Sequence, residues 1–587
     1  MHSKRILGVL SLVLVLGGCA MEAPDGIDDV GVVPGGKADG SDYSTCELAA
    51  VPEWLNEGQD ADTLREAGIH SRAANNLVSH RDGADGAFGT ADDDLFDDIA
   101  EVDGVSWVGP VAIRQLVASI ADRCVTVEPP SGDVEVIMSP NDYDDSHVAR
   151  IRELIDGADS SIDIAMYSFR DSSISAALER AVDRGVSIRF LFEKANSDRS
   201  DMNGGASGAI EDMGIEVRYI NKINHHKFAI IDGARTSLDA ADTGILVSGS
   251  GNWSNGAATR FDENTVILHG NRELNLRYQR EFNHLWDNSR PFTWNETIAP
   301  VEAIAIEESD IADDPSVDAL FTSANFTVRD SSRYGRTFSV ERGLNTVADR
   351  WVELISNAQS SIRIASGHLR SRPIAEAIVA AQAANPDLDV RVYLDGQEYI
   401  STWVHDEQLS DLDVCLEEAG DSEARQQDCT DRGFLFSYTL HQAGVPVRFK
   451  YYSYRWNYSY ADQMHHKYMI IDENIVVTGS YNLSDNAEHN TMENIMIFEG
   501  DSHRATIDAF IDNFDALWVT GEADGLYGDL MDEIENGGDT SFPIVFTPMA
   551  IDWDQVTALK GAIRDNCPEI NSTEFRSNPA AHRYCDR

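Results

Sequence analysis

The feature that most limits what this chain can fold into is that it repeats itself. The stretch "GADSSIDIAMYSFRDSSISAALERAVDRGVSIRFLF" begins at Gly157, and "NAQSSIRIASGHLRSRPIAEAIVAAQAANPDLDVRVYL" begins at Asn357. Each reads as a helix end, a buried strand, an amphipathic helix and a second buried strand. In the first, Ile162 and Ile164 open a strand, Ile174, Leu178 and Val182 follow at helical spacing, and "VSIRFLF" is the next strand. Strands that alternate with helices pair in parallel and carry the helices on their faces. The expectation is an α/β chain with two similar domains, at 133–300 and 318–525, each a mixed sheet flanked by helices.

Each unit is followed by the same set of polar residues. The earlier set is "HHKFAIID" from His225 to Asp232, then Gly249-Ser250-Gly251-Asn252, then Glu263-Asn264. The later set is "HHKYMIID" from His465 to Asp472, then Gly479-Ser480-Tyr481-Asn482, then Glu493-Asn494. The apolar residues after each lysine make a strand, in which alternate side chains point to opposite faces. His225 therefore shares a face with Lys227, and His465 with Lys467. His226 and His466 fall on the other face, where they pack or hydrogen-bond beneath the sheet. A lysine beside a histidine on one face can bind a phosphate while the imidazole attacks or protonates it. The same parity puts Asp232 and Asp472, despite their place in the repeated motif, off the reacting face and in a supporting role. Ser250 with Asn252, and Ser480 with Asn482, are two apart and offer hydroxyl and amide donors to phosphate oxygens. Glu263 and Glu493 fit a carboxylate that orients an imidazole and stabilises its cationic form.

These motifs resemble the HxKxxxxD and GSxN pattern of the phospholipase D superfamily, over roughly residues 133–525. The resemblance implies that both copies meet in one site at the interface of the two domains. It implies that His225 is the nucleophile, forming a phosphohistidine, and His465 the general acid and base. Histidine serves both roles near neutrality because its unperturbed pKa is about 6.5. Lys227 and Lys467 then balance phosphate charge, and no metal or other cofactor is expected. The implied reaction is phospholipase D-type hydrolysis of phospholipid headgroups, with transphosphatidylation as a variant. The competing readings are a metal-independent nuclease, a cardiolipin synthase-like phosphatidyltransferase, and a silent scaffold, against which the intact duplicated motifs argue. In the earlier copy the connection after Asp232 is longer, through "ARTSLDAADT", and is expected to narrow access to the site.

Charge bears on the partner. The chain has 46 basic and 100 acidic residues, a formal net charge of -54. That disfavours long-range attraction to a polyanion but leaves a local phosphate site possible, since distant charges are screened beyond about 8 Å. Phospholipid is the expected substrate, nucleic acid the less favoured one, and the protein is expected to be a monomer. Upstream of His465, "VRFKYYSYRWNYSYADQM" interleaves aromatic and basic side chains, which fit a lipid-headgroup boundary, a single-stranded nucleic acid, or simply a packed edge.

The N-terminal residues 1–19 have a basic start and an apolar run from Ile6 to Leu16, and read as an export signal. Leu16-Gly17-Gly18-Cys19 resembles a bacterial lipobox, which implies lipidation of Cys19, a membrane surface held through that anchor, and a place in the cell envelope or outside the cell. Residues 20–45 look like a flexible tether. Residues 46–126 read as a small helical module in which "VSWVGPVAIRQLV" resembles a helix-hairpin-helix. Trp107 stands there in place of the first of two glycines, so a disulfide-closed spacer or protein-binding role is favoured over DNA binding. Asp82, Asp85, Asp92, Asp93 and Asp94 form a solvated acidic loop that misses the EF-hand spacing. Setting Cys19 aside leaves six cysteines, and their order along the chain points to Cys46 with Cys124, Cys415 with Cys429 and Cys567 with Cys585. Residues 526–587 are a C-terminal extension without a motif.

Overall fold

The computed structural model describes residues 45–120, 134–193, 205–292, 303–331, 335–452, 462–535, 547–566 and 573, apart from positions 91, 97–98, 312–313 and 431–432 within those spans. The export signal, Cys19 and nearly all of the tether lie outside the described residues. So do Cys124, Cys567 and Cys585, with the two pairings that involve them, and the tyrosine-rich residues 453–461. Cys415 and Cys429 are joined in a disulfide, as their order predicted.

The described residues begin with five helices: α1 (Thr45–Asn56), α2 (Ala61–Glu66), α3 (Ser71–Arg81), α4 (Ile99–Gly104) and α5 (Pro110–Ser119). They close around their own core, with Val51, Leu55, Leu64, Leu77, Val102 and Leu116 fully or almost fully buried.

The first half follows as β1 (Val134–Ser139), α6 (His147–Asp156), β2 (Ser161–Met166), α7 (Ser172–Asp183), β3 (Ser187–Phe192), α8 (Ala206–Asp212), β4 (Glu216–Tyr219), β5 (Ile223–Asn224), β6 (Lys227–Ile231), β7 (Ile245–Gly249), α9 (Asn255–Thr259), β8 (Glu263–His269), α10 (Arg272–Asp287) and β9 (Arg290–Pro291). The second half is β10 (Val317–Phe321), β11 (Phe326–Ser331), β12 (Gly335–Val340), α11 (Thr346–Asn357), β13 (Ser361–Ser366), β14 (Leu369–Arg370), α12 (Arg372–Ala384), β15 (Asp389–Asp395), α13 (Thr402–Ala419), α14 (Glu423–Thr430), α15 (Ser437–Gln442), β16 (Val447–Tyr451), β17 (Lys467–Ile471), β18 (Ile475–Gly479), β19 (Leu483–Ser484), α16 (Asp485–His489), β20 (Thr491–Met492), β21 (Asn494–Glu499), α17 (Arg504–Trp518), α18 (Leu526–Glu535), β22 (Met549–Asp552) and α19 (Trp553–Asn566).

The two large sheets have matching strand orders, β1-β8-β7-β6-β2-β3-β4-β9 and β10-β21-β18-β17-β13-β15-β16-β22. Within each, the strand-helix-strand unit pairs in parallel, β2 with β3 and β13 with β15, and the motif strand runs antiparallel to it. The α/β class with two mixed sheets flanked by helices, expected from periodicity, is what the structure shows. Part of the C-terminal extension completes the second sheet, because β22 pairs antiparallel with β16.

Pleat parity divides the core. On β6, Ala229 and Ile231 face an outer layer with α6 and α7, while Phe228 and Ile230 face inward. On β17, Met469 and Ile471 face outward, while Tyr468 and Ile470 join the same inner cluster as Phe228. That inner cluster also holds Tyr278 and Phe282 of α10 and Phe510 and Phe514 of α17. One continuous core therefore lies between the sheets, and the halves bury their inner faces on each other.

The longer connection after Asp232 does not narrow access to the site, contrary to expectation. Arg235 within it donates to Ser187 O at 2.8 Å and Ile162 O at 2.7 Å, and pairs with buried Asp163. These partners stand at the start of β2 and β3, whereas Lys227 pairs with Met166 at the end of β2. The insertion thus caps the sheet end opposite the motif, about 16 Å away along a five-residue strand.

Candidate active site

Two short ladders between the halves bring the motifs together. Strand β5, just before His225, pairs in parallel with β20, just before Glu493, and His225 N donates to Met492 O at 3.1 Å. On the other side Asp262, just before Glu263, bridges Met464, and His465 N donates to Asp262 O at 3.0 Å. Each histidine is therefore stitched by its backbone to the residue preceding the other half's glutamate.

The side chains follow the backbone across. His225 Nδ1 lies 2.8 Å from Glu493 Oε2, and His465 Nδ1 lies 2.6 Å from Glu263 Oε1. Each imidazole is thus oriented by the carboxylate of the opposite copy. A carboxylate on Nδ1 fixes the tautomer and leaves Nε2 for chemistry. Lys227 Nζ is 3.2 Å from His225 Nε2 and 3.1 Å from its carbonyl oxygen; Lys467 Nζ is 2.7 Å from His465 O and 3.2 Å from its Nδ1. Both lysines are buried at 1% exposure, so their charge acts where water screens it little. The Tyr167 ring stands 4.6 Å from His225 and 5.0 Å from Lys227 Nζ, a cation–π contact on one wall.

The second histidines have different work. Asn494 Nδ2 donates to His226 Nδ1 at 2.9 Å, and Asn264 Nδ2 donates to His466 Nδ1 at 3.1 Å. These contacts cross between halves as well. The asparagines are held in turn: Tyr278 and Ser248 donate to Asn494 Oδ1, and Thr478 donates to Asn264 Oδ1. His226 and His466 are fully buried. Burial pushes the His466 imidazole well below its ordinary value, and the nearby Lys450, Lys467 and His465 push the same way, so it stays neutral.

The glycine opening each Gly-Ser-x-Asn motif answers a steric demand. Gly249 and Gly479 have φ of 154° and 156°, and a Cβ there would meet the Asn264 or Asn494 carbonyl oxygen at 2.2 Å or 2.3 Å. The next residue uses that close approach. Ser250 Oγ accepts from Asn264 N at 2.9 Å, and Ser480 Oγ accepts from Asn494 N at 3.0 Å while donating to Glu493 Oε2 at 2.7 Å. Both serines are fully buried, and each steadies the Glu-Asn pair of its own half. Thr491 Oγ1 adds a bond to Glu493 Oε1, whereas Glu263 Oε2 is buried with no partner among the described residues. Asn252 is 2% exposed with its Oδ1 likewise without a partner among them, while Asn482 is half-buried.

Asp232 and Asp472 stand at the far ends of β6 and β17. Asp232 accepts from the backbone N–H groups of Asp159, Ser160 and Ser161, and Asp472 from those of Gln359, Ser360 and Ser361. Burial alone would raise these carboxyls, but the hydrogen bonds outweigh it and hold both below the usual carboxylate range. They tie each motif strand to the turn that starts its antiparallel neighbour, β2 or β13.

Sequence reasoning missed several supports. Buried Lys450 pairs with buried Asp262 of the other half at 2.8 Å, and Tyr452 donates to Asp395 at 2.7 Å, so part of the aromatic and basic approach to His465 is internal framework. Asn264 and Asn494 were visible as repeated neighbours of the glutamates. Their recurrence was the available signal, and their role needed the geometry.

Comparison with known proteins gives the same outline. A family profile described as "Cardiolipin synthase, PLD-like domain" matches residues 151–286 and 351–518, together more than half of the chain. The chain is similar to mitochondrial cardiolipin hydrolases, at 26% identity over 166 residues for that of Canis lupus familiaris (28% of this chain, 60% of that protein) and 32% over 146 residues for that of Danio rerio (24% and 58%). It thus spans about three-fifths of the length of the curated relatives it matches. Among solved structures, the phosphatidylserine synthase of Haemophilus influenzae Rd KW20 aligns at 14% identity with a TM-score of 0.42, covering 65% of this chain and 86% of that one. The phospholipase D family member Nuc from Salmonella typhimurium aligns at 18% identity with a TM-score of 0.21, covering 35% and 93%.

Proposed function

The chain belongs to the phospholipase D superfamily, and on that premise we propose that it is a phosphodiesterase that hydrolyses phospholipid headgroups through a phosphohistidine. The observation that carries the reading is the crossed relay, in which two buried histidines each have Nδ1 on the other half's glutamate. Neutral His225 attacks phosphorus through Nε2 as the P–O bond to the headgroup alcohol breaks. His465, protonated, gives its proton to that leaving oxygen. The phosphoryl group is then joined to His225 as a phosphoramidate, with Lys227 and Lys467 balancing its charge. Water attacks next, His465 takes its proton, and the P–N bond breaks to leave phosphatidate and neutral His225. An acceptor alcohol in place of water would give transfer instead of hydrolysis.

A lipid substrate is also supported by the cardiolipin hydrolases among the similar proteins. An acyl anchor on Cys19, in a lipobox-like setting, would hold the enzyme at an envelope membrane where that substrate is abundant.

The test gives purified protein choline-, ethanolamine- and glycerol-headgroup phospholipids, cardiolipin and DNA, each with and without chelator. Headgroup release is expected to survive chelation and to fall by about 10³-fold or more in His225→Asn and His465→Asn. Cleavage of DNA with no lipid turnover would sink the reading.

A further inference from the structure

The N-terminal module carries an exposed apolar tip that the chemistry does not use. Between α4 and α5, Trp107 is 59% exposed, and Val111 on the first turn of α5 is 63% exposed. Trp107 also has φ of 74°, a left-handed conformation that is unfavourable for a bulky side chain. Asn76 Nδ2 donates to Ser106 O at 2.6 Å and holds the turn in place. A large ring kept in water on a strained backbone is costly unless something covers it.

Basic side chains accompany the apolar tip. The Arg72 guanidinium lies 4.4 Å over the Trp107 ring and His70 stacks against it at 5.9 Å. Arg114 is exposed three positions beyond Val111 on the same side of α5. The nearby Arg65 is matched by Asp62, which leaves Arg72 and Arg114 as the cations beside the apolar tip. The acidic loop lies at the other end of α3, where Asp92 accepts from the Ala84 and Asp85 N–H groups and Glu101 meets His80. Eleven residues of α3 separate the two ends by about 16 Å. That is roughly twice the Debye length, so the loop weakly opposes an anionic surface at the tip.

We propose that this tip docks the protein on an anionic phospholipid surface, with Trp107 and Val111 entering the interfacial layer and Arg72 and Arg114 meeting lipid phosphates. Tryptophan is favoured at that boundary because its ring is apolar while its N–H stays hydrated. A nucleic acid fits less well: base stacking would take Trp107 and leave Val111 in water, and the Val108 N–H of the hairpin is already bonded to Val105 O. The inference goes beyond the proposed reaction, since binding is read without turnover.

The experiment uses the chain from residue 20 onward in a His225→Asn background, so that neither the apolar N-terminal run, an acyl group nor hydrolysis contributes. It is sedimented with phosphatidylethanolamine vesicles containing phosphatidylglycerol, and in parallel titrated into labelled DNA. Trp107→Ala and Trp107→Gly are each expected to lower the vesicle partition coefficient about tenfold, and Arg72→Glu with Arg114→Glu to remove the preference for phosphatidylglycerol. Glycine tolerates the backbone at 107, so Trp107→Gly should melt no lower than its parent while losing binding, which a purely structural tryptophan would not do. Absence of vesicle binding in the parent, unchanged binding in both Trp107 variants, or a loss confined to DNA overturns the proposal.

Discussion

At the scale of the residue, the two adjacent histidines of each motif are one position apart and have opposite surroundings. His465 meets Glu263 and Lys467, while His466 is sealed among the inner core with Asn264 on Nδ1. Alternation along a strand is enough to separate them in the sequence, because the pleat is a local property. What alternation cannot supply is the partner, since Asn264 is remote in sequence. His465→Ala should therefore abolish turnover, by about 10³-fold or more. His466→Ala should instead leave the Asn264 amide without its acceptor and open a cavity, costing about 2–4 kcal/mol of stability, with kcat within about tenfold of the parent. Denaturant melts and headgroup-release kinetics on the two variants check this. Equal loss of kcat in both would show that His466 takes part in the reaction.

At the scale of the element, long periodic segments were legible and short ones were not. Strands β2 and β3 and helix α7 follow from Ile162, Ile164, Ile174 and Leu178, whose spacing repeats over enough residues to declare itself. The two-residue strands β5 and β20 have no period at all, yet they pair the halves beside the histidines. The place of the insertion after Asp232 was equally hidden, because only the antiparallel run of β6 against β2 decides which sheet end it reaches. Helix α16 shows a short element that carries weight. His489 at its end is 2.7 Å from Asp485 and 3.0 Å from Leu344 O, and its own carbonyl accepts from Lys222 of the first half. Burial would lower this imidazole, but Asp485 and the Leu344 carbonyl more than offset it and raise it to about 9. A value raised above the unfolded one of about 6.5 means that the folded state holds the proton more tightly. The resulting stability is complete below about pH 6.5 and disappears as pH rises through about 9. Allowing for solvent screening of a partly exposed pair, it amounts to about 1–2 kcal/mol. Urea midpoints of the parent and His489→Gln should differ at pH 6 and converge near pH 10; a constant gap would refute the assignment.

At the scale of the whole molecule, duplication announces that two equal sets of groups exist, but says nothing of which member of one set meets which member of the other. The structure answers that Glu493 serves His225 and Glu263 serves His465, across a core both halves share. Neither half is then a half-active enzyme, because each holds a histidine whose carboxylate is elsewhere. The crossing has a kinetic consequence that separates it from pairing within each half. An aryl diester such as bis(4-nitrophenyl) phosphate has a leaving group of pKa about 7 and needs no proton from a general acid. With it, His465→Asn should still attack through His225 and release nitrophenolate in a burst equal to the enzyme present, then stall for lack of a base to activate water. Glu263→Gln should behave in the same way, since it disturbs His465. His225→Asn should show no burst, and Glu493→Gln should slow the burst by about 10²–10⁴-fold, as loss of an orienting carboxylate does in related relays. Rapid-quench measurement of the four variants sorts them into two pairs. Glu493→Gln falling with His465→Asn, and Glu263→Gln with His225→Asn, would mean that each glutamate works within its own half and that the crossed contacts do not govern the reaction.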